Sequence, residues 1–308
     1  MEFYGNYSCS AISPVILLDP YNQIDYPSSV ISSEIKNIKI YENTVDTTDR
    51  NYVIALFLGV CSHFNTQIEN ITFNDNKTIG NRPANQPPFG FFEMLTAVFI
   101  PAPIGTTVKN VICENNFSKD WELNAVYSLN QSLFNFDTGE STCIENIKFI
   151  NNKCENNYCS TFRFLANSIL SGFYKQLDGF IIKNSKSLRN ESINKESIGF
   201  ILNDTKNLIL KNCISEGNDI GVGNLTETSS IGYGENASIE KCYTKNNKTG
   251  YLDKDILSQS VYTGNKSTSD ASGYVGSIFS KMSIIPWTIG GPVPSINDND
   301  NLNITTVI

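Results

Sequence analysis

The sequence contains very little of the chemistry on which most enzymes depend. Its 308 residues include one histidine, His63, and four arginines. Without a second histidine a two-histidine metal site is excluded, and a lone histidine in a polar loop is more typical of a solvated side chain than of a catalyst. Few side chains therefore remain for acid–base work.

Positive charge and long apolar runs are also lacking. The formal net charge is −8 and no basic cluster occurs, which disfavours nucleic acids and anionic membrane surfaces as partners. The longest apolar runs, Val53–Cys61 and Met94–Ile104, are too short to span a bilayer. The N-terminus has no basic region followed by an apolar run, so no classical signal peptide is predicted. We expect a cytoplasmic or particle-associated protein.

The eight cysteines are even in number but contain no Cys-x-x-Cys pair. Cys113 and Cys242 fall on apolar strand positions, where a reduced cysteine behaves as a small hydrophobic residue. Cys154 and Cys159 are the closest pair, with four residues between them and no matching second pair. Buried free thiols are therefore favoured over disulfides and over a zinc site, and neither a metal nor a cofactor is predicted.

What the sequence does contain is a repeated strand motif, clearest in residues 144–152, IENIKFINN. Its fourth position is apolar in all seven copies and its sixth in all but the last, which is the alternation of a strand. Successive copies start 33, 40, 36, 33, 28 and 34 residues apart, a spacing typical of stacked units. The copies begin at Ile35, Ile68, Val108, Ile144, Leu177, Thr205 and Ile239.

Asparagine recurs at two places in this motif. Asn tolerates left-handed backbone conformations and bonds to its own main chain, so it suits the bends beside a short strand. Stacked copies would let the amides hydrogen-bond as a ladder. The third position, our predicted ladder, is occupied by Asn37, Asn70, Asn110, Asn146 and Asn207. The eighth or ninth position is occupied by Asn43, Asn76, Asn116, Asn152, Asn184, Asn212 and Asn247.

Over residues 30–265 this pattern resembles the right-handed parallel β-helix, the pectate-lyase-like fold with asparagine ladders. The predicted fold class is accordingly all-β, a right-handed single-stranded parallel β-helix of about seven coils. A β-sandwich with evenly spaced strands is the alternative. Residues 1–30 are predicted to form an irregular cap and residues 31–265 the helix. Residues 266–308 are predicted to hold a linker, an apolar capping or docking segment and an acidic tail.

The resemblance also implies polysaccharide lyases and polygalacturonase-like hydrolases as candidate activities. The arginine and aspartate patterns that these enzymes would imply are missing from the strand copies, and so are their Asn-Thr-Asp and Gly-His-Gly segments. No Gly-x-Ser-x-Gly, His-Glu-x-x-His or phosphate loop occurs either. No catalytic residue is therefore predicted, and whether the protein is an enzyme stays open, with the balance against it.

Two sets of residues are candidates for binding. The third copy places Trp121 near the acidic residues Asp137 and Glu140, which could contact a carbohydrate, although acidic loop residues are usually only solvated. The insertion 80–106 and the apolar tail 274–292 carry aromatic residues that are candidate assembly contacts. They are Phe89, Phe91, Phe92, Tyr274 and Trp287.

The function hypothesis favoured by these observations is a non-enzymatic structural or adhesive module. It would belong to a virion or another particle and would assemble through its tail and the 80–106 loop with itself or with protein neighbours. The alternative is a carbohydrate-active enzyme or a carbohydrate-binding module with a glycan ligand.

Overall fold

The structure, a computed structural model, shows an all-β chain. It describes residues 2–5, 7–8, 12–13, 16–18, 34–46, 54–55, 58–60, 65–80, 94–101, 105–130, 142–166, 177–225, 234–254 and 259–276. No described residue belongs to a helix.

The strands follow one another in nine sets, each of which we call a rung. Rung 1 comprises β1 (Glu2–Tyr4), β2 (Tyr7–Ser8), β3 (Ile12–Ser13) and β4 (Ile16–Leu18). Rung 2 comprises β5 (Glu34–Tyr41), β6 (Thr44–Asp46), β7 (Ile54–Ala55) and β8 (Leu58–Val60). Rung 3 comprises β9 (Gln67–Asn74), β10 (Lys77–Ile79) and β11 (Met94–Pro101). Rung 4 comprises β12 (Thr107–Glu114), β13 (Phe117–Lys119) and β14 (Glu122–Asn130). Rung 5 comprises β15 (Cys143–Ile150), β16 (Lys153–Glu155) and β17 (Cys159–Ala166). Rung 6 comprises β18 (Leu177–Asp178), β19 (Ile181–Lys183), β20 (Lys186–Leu188), β21 (Glu191–Ile193) and β22 (Ser197–Ile201). Rung 7 comprises β23 (Thr205–Lys206), β24 (Ile209–Lys211), β25 (Ile214–Glu216) and β26 (Ile220–Asn224). Rung 8 comprises β27 (Ser238–Glu240), β28 (Tyr243–Lys245) and β29 (Thr249–Asp253). Rung 9 comprises β30 (Val261–Thr263), β31 (Lys266–Thr268) and β32 (Ser272–Gly276).

Each rung contributes in turn to the same sheets. Sheet 1 has 13 strands and runs from β1 and β5 to β30 and β31; sheet 2 has six, in the order β2-β6-β10-β13-β16-β21; sheet 3 has 11 and ends at β32. A separate two-stranded sheet pairs β18 with β23. Neighbouring strands are parallel, as in β12 with β9 and β15. This architecture is compatible with a parallel β-helix.

The core consists of apolar columns that run along the stack. On sheet 1 alternate residues of each strand are buried, as in β15, where Ile144, Ile147 and Phe149 point inward. Because parallel strands pair in register, each inward residue lies on its counterpart in the next rung. The longest column contains Ile35, Ile68, Val108, Ile144, Ile182, Leu210, Ile239 and Tyr262.

This register differs from the predicted one in the fifth and sixth copies. Leu177 and Thr205 pair with each other in the small sheet, whereas Ile182 and Leu210 lie above Ile144. The reason is that rungs 6 and 7 carry an additional short strand before the strand of sheet 1. This short strand begins at Leu177 in rung 6 and at Thr205 in rung 7, and apolar residues follow each at the spacing of the motif.

Both ends of the stack also differ from expectation. Within the predicted cap 1–30, β1 to β4 pair with β5 to β8 and so form a first rung. Within the predicted linker, Lys266–Thr268 pairs with β28 and Ser272–Gly276 with β29. Polar composition suggested a linker there, but Ser267 and Asp270 are buried and hydrogen-bonded. Polar residues that satisfy each other can therefore continue the stack.

Candidate functional site

The predicted ladder at the third motif position is present on the outer side of sheet 1. The side-chain amide of Asn70 donates to Asn37 Oδ1 at 3.0 Å, that of Asn110 to Asn70 Oδ1 at 3.0 Å, and that of Asn146 to Asn110 Oδ1 at 2.7 Å. All have φ between 56° and 61°, the left-handed region that Asn tolerates. Asn207 lies outside this row and donates to Asp178 instead. The register places Asn184 and Asn212 next in the row.

A second, buried ladder lies where the chain turns from sheet 1 to the rest of the rung. From Asn76 onward each side-chain Oδ1 accepts from the backbone N–H of the Asn in the preceding rung. The side-chain amides also donate back to a carbonyl one rung earlier, as Asn116 does to Phe73 O. The ladder ends at the carboxylate of Asp270, which accepts from both nitrogens of Asn247 at 2.7 and 2.9 Å. Its members, all less than 5% exposed, are Asn43, Asn76, Asn116, Asn152, Asn190, Asn218, Asn247 and Asp270.

The ladders hold the outer surface of sheet 1 in register, and this surface is our candidate functional site, named the outer face. Outward side chains that pair in register on successive strands form columns across this face. One column consists of lysines and glutamates and contains ion pairs, such as Lys183 with Glu145 at 3.2 Å and Lys211 with Glu240 at 3.1 Å. Burial raises the pKa of Glu145, but hydrogen bonds from Lys183 and Asn184 prevail and hold it below its ordinary value. The hydrogen bond from Lys211 similarly lowers the pKa of Glu240.

Apolar side chains stand on the same outer face without reaching the core. Cys143, Ile181 and Ile209 follow one another in register across three strands. Ile150 pairs with Leu188, and Ile214 pairs with Tyr243. The half-buried apolar residues of the outer face include Ile112, Ile150, Ile181, Leu188, Ile209, Ile214 and Tyr243.

Of the predicted carbohydrate contacts, Trp121 alone lies among the described residues. Trp121 is buried, with 6% of its surface exposed, and packs in the core. Its indole N–H has no hydrogen-bond partner among the described residues. A ring placed in this way does not present a face to a sugar. Asp137 and Glu140 lie outside the described residues.

The predicted assembly contacts are similarly divided. Tyr274 lies in β32, is 7% exposed, and stacks on Tyr251 with ring centroids 4.9 Å apart. It therefore packs the end of the described stack. Phe89, Phe91, Phe92 and Trp287 lie outside the described residues.

One buried polar cluster escaped the sequence reasoning. On sheet 3, Arg163 Nε donates to Glu122 Oε2 at 3.1 Å, and the two side chains are 2% and 11% exposed. Burial lowers the pKa of Arg163, but Glu122, Tyr127 and Asp204 outweigh it and raise the pKa above the ordinary value. Burial, together with Glu122, raises the pKa of Tyr127. The cluster is a satisfied ion pair rather than an open site.

The six described cysteines are free thiols, and all except Cys143 are buried. Burial raises the pKa of Cys113, Cys154 and Cys213 well above the ordinary value. A buried thiol with a raised pKa is inert. Cys143 is half-buried on the outer face, and there too burial raises the pKa, while Lys183 opposes it.

Comparison with known proteins adds no family to this picture. No protein-family model, curated protein or solved structure matches the chain. In the part of the chain that the structure describes, no three His, Cys, Asp or Glu side chains are placed to hold a metal ion. The same residues include no helix with the length and apolarity to cross a membrane.

Proposed function

We propose that this chain is a right-handed parallel β-helix that serves as a rigid, non-enzymatic building block and self-associates through its outer face. The observation that supports this most is the continuous outer face itself, in which half-buried apolar side chains stand among lysines and glutamates in register. Contiguous apolar surface with a polar surround is typical of protein–protein contact. Such a unit would suit a virion or another particle.

The size of the outer face fits a second copy of the chain. An eight-residue strand is about 26 Å long and eight strands at about 4.8 Å span about 38 Å, which gives roughly 1,000 Å². A stable interface needs about 800 Å² from each partner. Lysine and glutamate occur in the same column, so a copy related by a two-fold axis can place opposite charges against each other.

Ile181→Glu tests this contact. A glutamate at this position would be buried without a partner in the interface, so we expect the dissociation constant of the dimer to rise at least about 100-fold. Sedimentation equilibrium of wild type and variant measures this. The matched control is Ile193→Glu, because Ile193 is 37% exposed on sheet 2, away from the outer face. A wild-type protein that stays monomeric at all concentrations, or an Ile181→Glu variant that associates like wild type, would contradict the proposal.

Cys143 provides an independent test because it stands beside Ile181 on the outer face. We expect iodoacetamide to alkylate Cys143 in dilute protein and to do so at least about five times more slowly once the copies associate, since thiolate access is lost. Mass spectrometry of peptides from both samples measures the rates. The buried Cys113 should remain unlabelled in both samples. Equal rates at Cys143 would show that association leaves this surface open.

The carbohydrate alternative gains no support from the described residues. Its aromatic platform, Trp121, is part of the core. Asp137 and Glu140 alone do not define a sugar site, so we do not propose this function.

A further inference from the structure

Sheet 2 ends part-way along the stack. Its last strand is β21, whereas sheets 1 and 3 continue for three more rungs. The spacing after the buried ladder shows why: β22 begins seven residues after Asn190, but β26 begins only two residues after Asn218. The later rung turns directly from Asn218 into sheet 3 and omits the strand that would cover β21. The side of the molecule therefore has a step.

This step leaves backbone groups of β21 without a strand partner. Glu191 N donates to Asn152 O, and Ile193 O accepts from Asn156 N, so residues 191 and 193 bond to the preceding rung. In a parallel ladder the residue between them directs its N–H and C=O to the opposite side. That residue is Ser192, and β21 has no strand on that side among the described residues. An open strand edge is a template for another extended chain.

A shallow pocket of about 320 Å³ adjoins the C-terminal end of β21 and is lined by Tyr158, Asn194, Lys195 and Glu196. Lys195 is exposed, and its Nζ lies 5.4 Å from the centre of the Tyr158 ring. No ion pair involves Lys195 in the described part of the chain. Lys248, in contrast, pairs with Asp219, and Asp219 and more weakly Glu196 raise its pKa.

We propose that the edge of β21 binds an extended peptide segment of a partner protein as an added parallel strand, with an acidic side chain of the peptide at Lys195. Ser192 would donate and accept one backbone hydrogen bond each, as in other cases of strand addition. Because the strand is parallel, the C-terminal residue of the peptide lies near the pocket.

The dimensions of the edge determine this occupant. Three residues span only about 10 Å, far less than two folded copies need for a stable contact. A linear segment is the occupant that fits such a short edge. The exposed Ile193 beside Ser192 favours β-branched residues in that segment. The site is separate from the outer face, so each proposal can fail without the other.

An array of pentapeptides tests the inference on the full-length protein. The first four residues are drawn from Val, Ile, Thr and Ser, and the last is Glu, Gln or Lys. We expect peptides that end in Glu to bind at least about tenfold more tightly than those that end in Lys. N-methylation of the amide that faces Ser192 should weaken binding by at least about tenfold, because one backbone hydrogen bond is lost.

The variants separate recognition from nonspecific adsorption. Lys195→Glu should reverse the preference between Glu and Lys peptides. Lys77 is an exposed lysine of β10 in the same sheet, and Lys77→Glu should leave the preference unchanged.

Amide hydrogen exchange at Ser192 should be fast in the free protein and slowed by the peptide. Absence of binding, indifference to N-methylation, or a Ser192 amide that is already protected in the free protein would each overturn the proposal. The last result would mean that the edge is covered by the chain itself.

Discussion

Arg163→Met is expected to lower the free energy of unfolding by about 4 kcal/mol, because it removes the guanidinium that faces the buried carboxylate of Glu122. The two side chains come from strands 41 residues apart in sequence, and Arg163 also donates to Phe164 O at 3.2 Å. The unbranched side chain of methionine fills much of the same space. The loss of stability therefore reflects the missing charge rather than a cavity. Urea unfolding followed by circular dichroism measures it.

The double variant Glu122→Leu with Arg163→Met is the matched control. Removing both charges should restore most of the stability, since a buried ion pair contributes little beyond what apolar residues of similar volume supply. If the single variant costs less than about 1 kcal/mol, Glu122 has access to water and the cluster is not buried as described.

Asn116→Ala should have an effect of similar size, about 4 kcal/mol, through the buried ladder. Asn116 Oδ1 accepts from the backbone N–H of Asn76 at 2.9 Å, and its amide donates to Phe73 O at 2.8 Å. Alanine leaves both buried backbone groups unpaired, and each such group costs about 1–3 kcal/mol. Thermal and urea unfolding of the variant measure the loss.

Asn110→Gly is the comparison on the outer ladder. Asn110 has φ of 56°, which glycine adopts freely, and its bonds to Asn70 and Asn146 lie nearer to solvent. Water can replace these bonds, so we expect a loss of about 1 kcal/mol or less. Equal losses for the two variants would mean that the buried ladder contributes no more to stability than the outer one.

The repeat itself was readable from the sequence because its two signals are local. Alternating apolar residues mark the strands of sheet 1, and Asn marks the left-handed bends. The register was not fully readable, since Leu177 and Thr205 precede apolar residues as the true starts do. A sharper signal was present: in rungs 2 to 8 the buried Asn follows the outer residue by six positions, as in Asn110 with Asn116 and Asn184 with Asn190.

The candidate sites were harder to predict because they depend on contacts across rungs. The pairing of Glu122 with Arg163 requires the register of sheet 3, whose strands are buried on both faces and so show no alternation. The step at β21 follows from the short stretch between Asn218 and β26, which the corrected register reveals. Tryptophan suits both sugar stacking and a core that needs large apolar side chains, so the residue type of Trp121 does not distinguish the two, and in this structure Trp121 lies in the core.

The most direct test of the proposed building block is an electron cryo-microscopy reconstruction of the associated full-length protein. We expect two right-handed β-helices related by a two-fold axis, with Ile181 and Ile209 of each copy facing the other and the sheets about 10 Å apart. Copies that meet through another surface, or a chain whose sheets do not form one right-handed stack, would contradict it.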